Sequence, residues 1–148
     1  MENIEIKYTT THEWIEVLDS DSRECNIGIT ERIQDVYGNI VFVELPVLGE
    51  YEQGEIIGRI ETSDGRNFYI YAPISGEVYE TNAALEDDIE LLNRFPEGDG
   101  WICKFYMENP NEMDALLNVR EYEAHEEEEL NEEEYLPETD FYENVEDY

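Results

Sequence analysis

RIETSDGRNFYIYAP, residues 59–73, is the stretch of this 148-residue chain that decides its fold. Asp64-Gly65 favours a compact two-residue turn, because glycine adopts a positive φ at little cost and aspartate tolerates one better than most residues. Phe68 to Tyr71 combines aromatic and branched side chains, which suit a half-buried sheet. Pro73 ends that segment. We predict a β-hairpin with its tip at Asp64-Gly65.

Short apolar segments separated by turn residues continue in both directions from this hairpin. They are residues 14–18, 25–29, 40–45, 76–79 and 101–107. Regular turn signals between short strands indicate a compact β sandwich or barrel. Helical turns are predicted at residues 31–37, at 82–85 and after Asn109-Pro110. The expected fold class is mainly β, with two or three short helices.

The chain carries 40 acidic and 8 basic residues, a formal net charge of −32. A surface this negative repels phosphate backbones and anionic lipid, so we expect neither nucleic acid nor a membrane as a partner. It favours a basic protein surface. The hydrophobic share of 41% and the aromatic share of 12% exclude a chain that is disordered throughout.

The charge is concentrated at the C-terminus. Residues 121–148 contain fourteen acids and no Lys or Arg, which leaves residues 1–120 with a net charge of −18. Runs of like charge this dense stay solvated, or extend a preceding helix only part way. We predict a domain at residues 1–125 and an acidic, disordered tail at 126–148.

Cysteine usage and the N-terminus give only coarse predictions. Cys25 and Cys103 lie in separate apolar segments, which favours buried free thiols over a disulfide. The first residues, Met1 to Glu5, are acidic and lack an apolar signal core. No apolar run is long enough to span a membrane. We expect a cytoplasmic location, or a mitochondrial one only for a chain whose leader was removed.

The common catalytic and metal-binding motifs are absent from the sequence. There is no phosphate-binding glycine loop, no GxSxG and no HExxH. Two histidines and two isolated cysteines make no convincing zinc site, and no loop has calcium-binding spacing. We therefore expect no catalytic residues, no metal and no enzyme activity.

Several phrases occur in an order typical of one family. They are Tyr8-Thr9-Thr10-Thr11-His12-Glu13-Trp14, Gly28-Ile29-Thr30, Gly38-Asn39-Ile40-Val41-Phe42-Val43-Glu44-Leu45-Pro46, Glu61, Pro73-Ile74-Ser75-Gly76-Glu77-Val78, Asn82-Ala83-Ala84-Leu85 and Gly98-Asp99-Gly100-Trp101. Over residues 7–125 the chain resembles the H protein of the glycine cleavage system.

The resemblance implies a lipoyl-domain fold, a flattened barrel-sandwich hybrid with short flanking helices. It also implies a carrier, not an enzyme. In that family a lipoyl group, amide-linked to a lysine, moves an aminomethyl unit among the decarboxylase, aminomethyltransferase and dihydrolipoyl dehydrogenase of glycine catabolism. We interpret His12 and Trp14 within the resembling phrases as structural.

The sequence departs from the family at the hairpin tip. The family places its lipoyl lysine three residues after a glutamate and eight before a proline. Counting forward from Glu61 gives Asp64, and counting back from Pro73 gives Gly65, because this hairpin is one residue longer. Neither residue has an amine, so attachment in the family manner is chemically blocked. We expect no cofactor, where the family carries lipoate.

The basic side chains elsewhere in the sequence do not change this expectation. The only lysines are Lys7 and Lys104, far from the tip in sequence. Arg66 is close, but its guanidinium stays protonated and is not an acyl acceptor. The tip is then either an ordinary turn or a recognition surface formed by Glu61, Asp64, Arg66, Phe68 and Tyr69.

Three functions remain open from the sequence. The main hypothesis is a non-catalytic interaction module that binds glycine-cleavage or lipoylation enzymes. The first alternative is a genuine carrier of the aminomethyl group. The second is a regulator of the actin-binding transcription modulator type, which Ser63-Asp64-Gly65 and Tyr69-Ile70-Tyr71 resemble over a shorter stretch.

Overall fold

A computed structural model describes residues 5–131 and arranges them in two β-sheets. The strands are β1 (Ile6–Tyr8), β2 (Glu13–Asp19), β3 (Glu24–Ile29), β4 (Ile40–Glu44), β5 (Gly49–Tyr51), β6 (Ile56–Thr62), β7 (Asn67–Tyr71), β8 (Gly76–Thr81) and β9 (Cys103–Met107). One sheet has the order β1-β2-β3-β9-β8-β5, and the other has the order β4-β6-β7. The predicted mainly β, sandwich-like fold is confirmed.

Strand pairing in the larger sheet aligns the apolar side chains of consecutive strands. Ile15 in β2 lies opposite Ile27 in β3, and Cys25 in β3 lies opposite Phe105 in β9. Val78 in β8 also pairs with Phe105. Because strand side chains alternate between faces, these positions form one continuous inner surface.

The β6–β7 hairpin supplies the opposing surface. Ile60 pairs with Phe68, and both side chains are buried. Arg59 pairs with Tyr69 on the other face of the hairpin. The core between the sheets also contains these fully buried side chains: Ile29, Ile40, Ile70, Ile74, Leu85, Leu92 and Ile102. Removal of this apolar surface from water is what holds the two sheets together.

Five short helical segments surround the sheets within the described residues, more than the two or three predicted. They are α1 (Arg32–Tyr37), α2 (Ala84–Asp87), α3 (Glu90–Arg94), a 3₁₀ helix (Pro110–Ala115) and α4 (Val119–Asn131). The predicted cap at Asn109 is confirmed, because its side chain accepts a hydrogen bond from the Asn111 amide at 3.1 Å. The helix that it begins is a 3₁₀ helix of six residues.

Helix α4 continues through the domain boundary predicted at residue 125. It packs on β1, where the Tyr122 ring stacks on the Tyr8 ring with centroids 4.6 Å apart. Backbone hydrogen bonds of 2.8 Å join Tyr8 and Leu117 in both directions. Residues 126–131 therefore belong to a helix, and the predicted start of a disordered tail at residue 126 is corrected, because tertiary contacts extend α4 beyond it. Residues 132–148 lie outside the described residues, and their disorder stays a prediction.

The two cysteines are free and buried, as predicted. Burial raises the pKa of the Cys25 thiol to about 12 and moves that of Cys103 in the same direction. Both thiols therefore stay protonated at neutral pH. Their protonated state makes them inert core side chains, not nucleophiles.

Gly76 marks the closest backbone approach in the larger sheet. A Cβ at this position would lie 2.2 Å from the Tyr106 carbonyl oxygen. We expect Gly76→Ala to lower the free energy of unfolding by about 1–3 kcal/mol, because the strands must separate to admit the methyl group. Urea denaturation measures this loss.

Gly98→Ala is the matched control, since a Cβ there meets its nearest neighbour at an ordinary 3.8 Å. Its effect should stay within about 0.5 kcal/mol. Equal losses in the two variants would contradict the close approach at Gly76.

Candidate functional site

The tip of the β6–β7 hairpin is a three-residue loop, Ser63 to Gly65. The Thr62 amide donates to the Arg66 carbonyl at 2.9 Å, and the Gly65 amide donates to the Thr62 carbonyl at 2.9 Å. Gly65 has φ = 90°, which is a typical glycine position in three-residue hairpin loops. The predicted two-residue Asp-Gly turn is therefore wrong by one residue, because Ser63 also belongs to the loop.

Asp64 is engaged within the tip itself. Its carboxylate accepts hydrogen bonds from the Thr62 hydroxyl at 2.6 Å and from the Arg66 amide at 3.3 Å. The Arg66 guanidinium lies 3.3 Å from the same carboxylate and 5.3 Å from the centre of the Tyr37 ring. The Asp64 and Arg66 side chains are about 40% exposed, so the tip presents one anion and one cation to solvent.

The five residues proposed as a recognition surface do not all reach the surface. Asp64 and Arg66 lie together at the tip, and Glu61 and Tyr69 are half-buried on the strands behind it. Phe68 is only 2% exposed and packs on Tyr37, with ring centroids 4.7 Å apart. The inclusion of Phe68 is corrected, because strand alternation turns it into the core between the sheets.

A buried carboxylate that the sequence did not single out lies beside a cleft. Glu13, at the start of β2, is 1% exposed and accepts hydrogen bonds from the hydroxyls of Thr9 and Thr11, both at 2.6 Å. Its second oxygen accepts the Tyr71 amide at 3.0 Å. The cleft has a volume of about 290 Å³ and is lined by Thr9, Thr11, Glu13, Gln53, Gly54, Tyr71, Ala72, Pro73 and Leu116.

Burial raises the pKa of Glu13 to about 7, and the hydrogen bonds from Thr11 and Thr9 only partly oppose this shift. The carboxyl group thus exchanges its proton near neutral pH. Its oxygens already accept three hydrogen bonds from the protein, so the carboxyl group fastens the turn before β2 to β7.

His12 is fully buried and joins the turn before β2 to helix α4. Its Nδ1 lies 2.6 Å from the Tyr122 hydroxyl, and its Nε2 lies 3.1 Å from a Glu129 carboxylate oxygen. Burial lowers the pKa of His12 to about 4. The backbone of His12 has φ = 74°, a conformation that is costly for a side chain larger than glycine. The surrounding contacts hold it there.

Trp14 is a core residue, 3% exposed. Its indole nitrogen donates to the carbonyls of Ile29 and Pro96, both at 3.0 Å. Gly28 leaves the space for the ring, since a Cβ there would lie 2.6 Å from it. Trp14 thereby fixes the loop around Pro96 to the larger sheet.

Comparison with known proteins identifies the family to which this chain belongs. A family model described as Glycine cleavage H-protein matches residues 6–129. The chain belongs to the glycine cleavage H-protein family. It is 37% identical to a glycine cleavage system H protein of Thermotoga maritima over 118 residues, which are 79% of this chain and 92% of that protein.

Other members of the H-protein family give the same result. A glycine cleavage system H protein of Vibrio vulnificus is 42% identical over 118 residues, covering 79% of this chain and 91% of that protein. The crystal structure of a glycine cleavage system H protein from Mycobacterium marinum matches with a TM-score of 0.73 and 30% identity. That match covers 82% of this chain and 95% of the other.

The family assignment corrects one expectation. We expected no cofactor, and this is wrong, because the chain belongs to the glycine cleavage H proteins, which carry covalently attached lipoate. The family also consists of carrier proteins, not enzymes, as expected. It supports the carrier alternative better than the non-catalytic module.

The residues at the hairpin tip do not fit an amide-linked lipoyl group. Such a link needs an amine, and the loop offers a carboxylate at Asp64 and no side chain at Gly65. Lys104 is half-buried on β9, with its ammonium 4.9 Å from the centre of the Trp101 ring. Lys7 lies on β1, opposite Ile15. Neither lysine is part of the hairpin.

No helix among residues 5–131 has the length and apolar character needed to cross a membrane. The predicted location and the predicted exclusion of nucleic acid stay predictions.

The pKa of Glu13 gives a testable dependence of stability on pH. In the unfolded chain the carboxyl titrates near 4.5, and in the folded protein near 7, so the folded state binds more protons between these values. Wild-type stability should therefore fall relative to Glu13→Gln as pH rises from 4.5 to 7. Across that window the free energy of unfolding of the wild type falls by about 3 kcal/mol relative to that of Glu13→Gln. Above the window the difference between the two proteins is constant. Urea denaturation across this range measures it.

Glu50→Gln, on the exposed side of β5, is the control for loss of a carboxylate. If the free energies of unfolding of the wild type and of Glu13→Gln differ by the same amount at every pH, then Glu13 ionises normally and the raised pKa is contradicted.

Proposed function

We propose that this chain acts as an H-protein component of a glycine cleavage system by docking on the enzymes of that system. The observation that carries the proposal is the match of the H-protein family over residues 6–129, which includes both sheets and helix α4. The relatives are glycine cleavage proteins, which favours this function over the regulatory alternative of the actin-binding transcription modulator type.

Exposed apolar side chains beside the hairpin support protein partners. Val41, Phe42, Val47 and Leu48 are between 43% and 75% exposed. Phe42 pairs with Glu61, so these apolar residues border the hairpin strand that precedes the tip. Adjacent exposed apolar residues rimmed by charge are typical of protein interaction sites. The negative charge of the chain favours a basic surface on the partner.

The carrier and the docking module differ in one chemical property, the acyl acceptor. The family assignment favours the carrier, for which Lys7 and Lys104 are the side-chain amines in the sequence. The absence of an amine from the hairpin tip is the specific observation that favours docking without transfer.

A lysine placed at the tip tests whether the hairpin keeps the shape that lipoate ligase recognises. Incubation of Asp64→Lys with lipoate and lipoate ligase should add one lipoyl group, seen as an increase in intact mass. Loss of the Asp64 hydrogen bonds should cost only about 1 kcal/mol, so the variant should fold. Asp64→Arg is the matched control, because it places a cation without an acylable amine at the same position.

The wild-type chain and its lysine variants decide between the two functions. A lipoyl increment that is lost in Lys7→Arg or in Lys104→Arg identifies the acceptor and supports the carrier. No increment in the wild type, together with modification of Asp64→Lys, supports docking alone. Failure of folded Asp64→Lys to be modified contradicts an H-protein-like hairpin.

A further inference from the structure

Both histidines of the chain meet one carboxylate at the contact between helix α4 and the turn before β2. One ligand atom from each of His12, His125 and Glu129 lies within 4.8 Å of the others. The His12 Nε2 is 3.1 Å from one carboxylate oxygen of Glu129, and the His125 Nε2 is 3.2 Å from the other. His125 and Glu129 are four residues apart on α4, so both face the turn.

These three groups are a recognised donor set. Two imidazole nitrogens and one carboxylate bind zinc in three-ligand protein sites, with water in the fourth position. Ligand atoms about 2 Å from a tetrahedral ion lie about 3.3 Å from one another. The two N···O distances at Glu129 are close to this separation. An ion at this position replaces the hydrogen bond of 3.1 Å between the His125 Nε2 and the Thr10 carbonyl.

The atoms around the three groups support metal binding. The remaining nitrogen of His12, Nδ1, faces the Tyr122 hydroxyl at 2.6 Å, and that hydroxyl lies 2.7 Å from the Thr30 hydroxyl. With Nδ1 as donor to Tyr122, the lone pair of Nε2 points towards Glu129. The Arg32 guanidinium donates to the Glu129 carboxylate at 3.0 Å. The Tyr122 contact orients the His12 ring, as outer contacts of metal ligands do, whereas the positive charge of Arg32 weakens the hold of Glu129 on a cation.

The burial of the three side chains and the charge of the surface around them also favour a bound metal ion. The Glu129 side chain is 14% exposed and that of His125 is 25% exposed, so the site is sheltered on one side and open to solvent on the other. The net charge of −32 attracts cations to this surface.

We propose that His12, His125 and Glu129 bind one divalent transition-metal ion, with Zn²⁺ as the best match. The ion fastens helix α4 to the turn of residues 9–12. Thr9 and Thr11 of that turn hydrogen-bond the Glu13 carboxyl, so the ion also stiffens one wall of the cleft. Hard cations such as Mg²⁺ prefer oxygen ligands and are poor occupants of this site.

Calorimetric titration of the full chain with Zn²⁺ tests the proposal. Excess Mg²⁺ in the buffer competes for the exposed carboxylates, which offer only oxygen ligands. We expect one Zn²⁺ per chain, and His125→Gln should weaken its binding about tenfold or more. Co²⁺ in place of Zn²⁺ should give visible absorption bands that the same variant loses.

Glu128→Gln is the matched control, because it removes an exposed carboxylate from the same turn of α4. Circular dichroism establishes that both variants fold. Undiminished Zn²⁺ affinity in folded His125→Gln, or complete displacement of Zn²⁺ by Mg²⁺, would overturn the site and leave the three side chains as a hydrogen-bonded network alone.

Discussion

The buried triplet His12-Glu13-Trp14 is the constraint on which the rest of the structure depends. Each side chain is at most 3% exposed, and each makes hydrogen bonds to a different part of the chain. His12 binds Tyr122 and Glu129 on α4, Glu13 binds the Tyr71 amide on the smaller sheet, and Trp14 binds the loop at Pro96. Two buried polar side chains are costly unless they are satisfied, so these partners are held in place.

This constraint explains why the fold does not depend on the residues of the hairpin tip. The side chains of Ile60 and Phe68 are buried in the core and attach the hairpin to it. The pairing of these two residues does not involve the loop at residues 63–65. The tip is closed by its own hydrogen bonds, between Thr62, Asp64 and Arg66. The proposed docking surface therefore does not depend on the residue at the tip.

The strands were predictable because their alternation is strong and their turns are well marked. Helix α4 was not, because Glu126 to Glu129 belong to an acidic run typical of a solvated tail. Its stability comes from tertiary contacts that no local pattern shows, chiefly the Tyr122 ring on Tyr8. The cap of the 3₁₀ helix at Asn109 was predicted correctly. The local sequence pattern that follows it does not distinguish a 3₁₀ helix from an α-helix.

The site was predictable only in part, for the same physical reason. The positions of Asp64 and Arg66 at the tip follow from the predicted hairpin. The alternation of side chains along the strand is enough to place Phe68 in the core. The Glu13 cleft and the meeting of His12 with His125 depend on packing between segments about 60 and 110 residues apart. Contacts at that separation leave no mark on a single sequence.

We propose that this chain docks on glycine-cleavage enzymes as an H protein does. A binding assay with the glycine decarboxylase of its own organism, in competition with a lipoylated H protein, tests this proposal. We expect saturable binding that the lipoylated protein displaces. Absence of binding at concentrations where the lipoylated protein saturates the enzyme would contradict it.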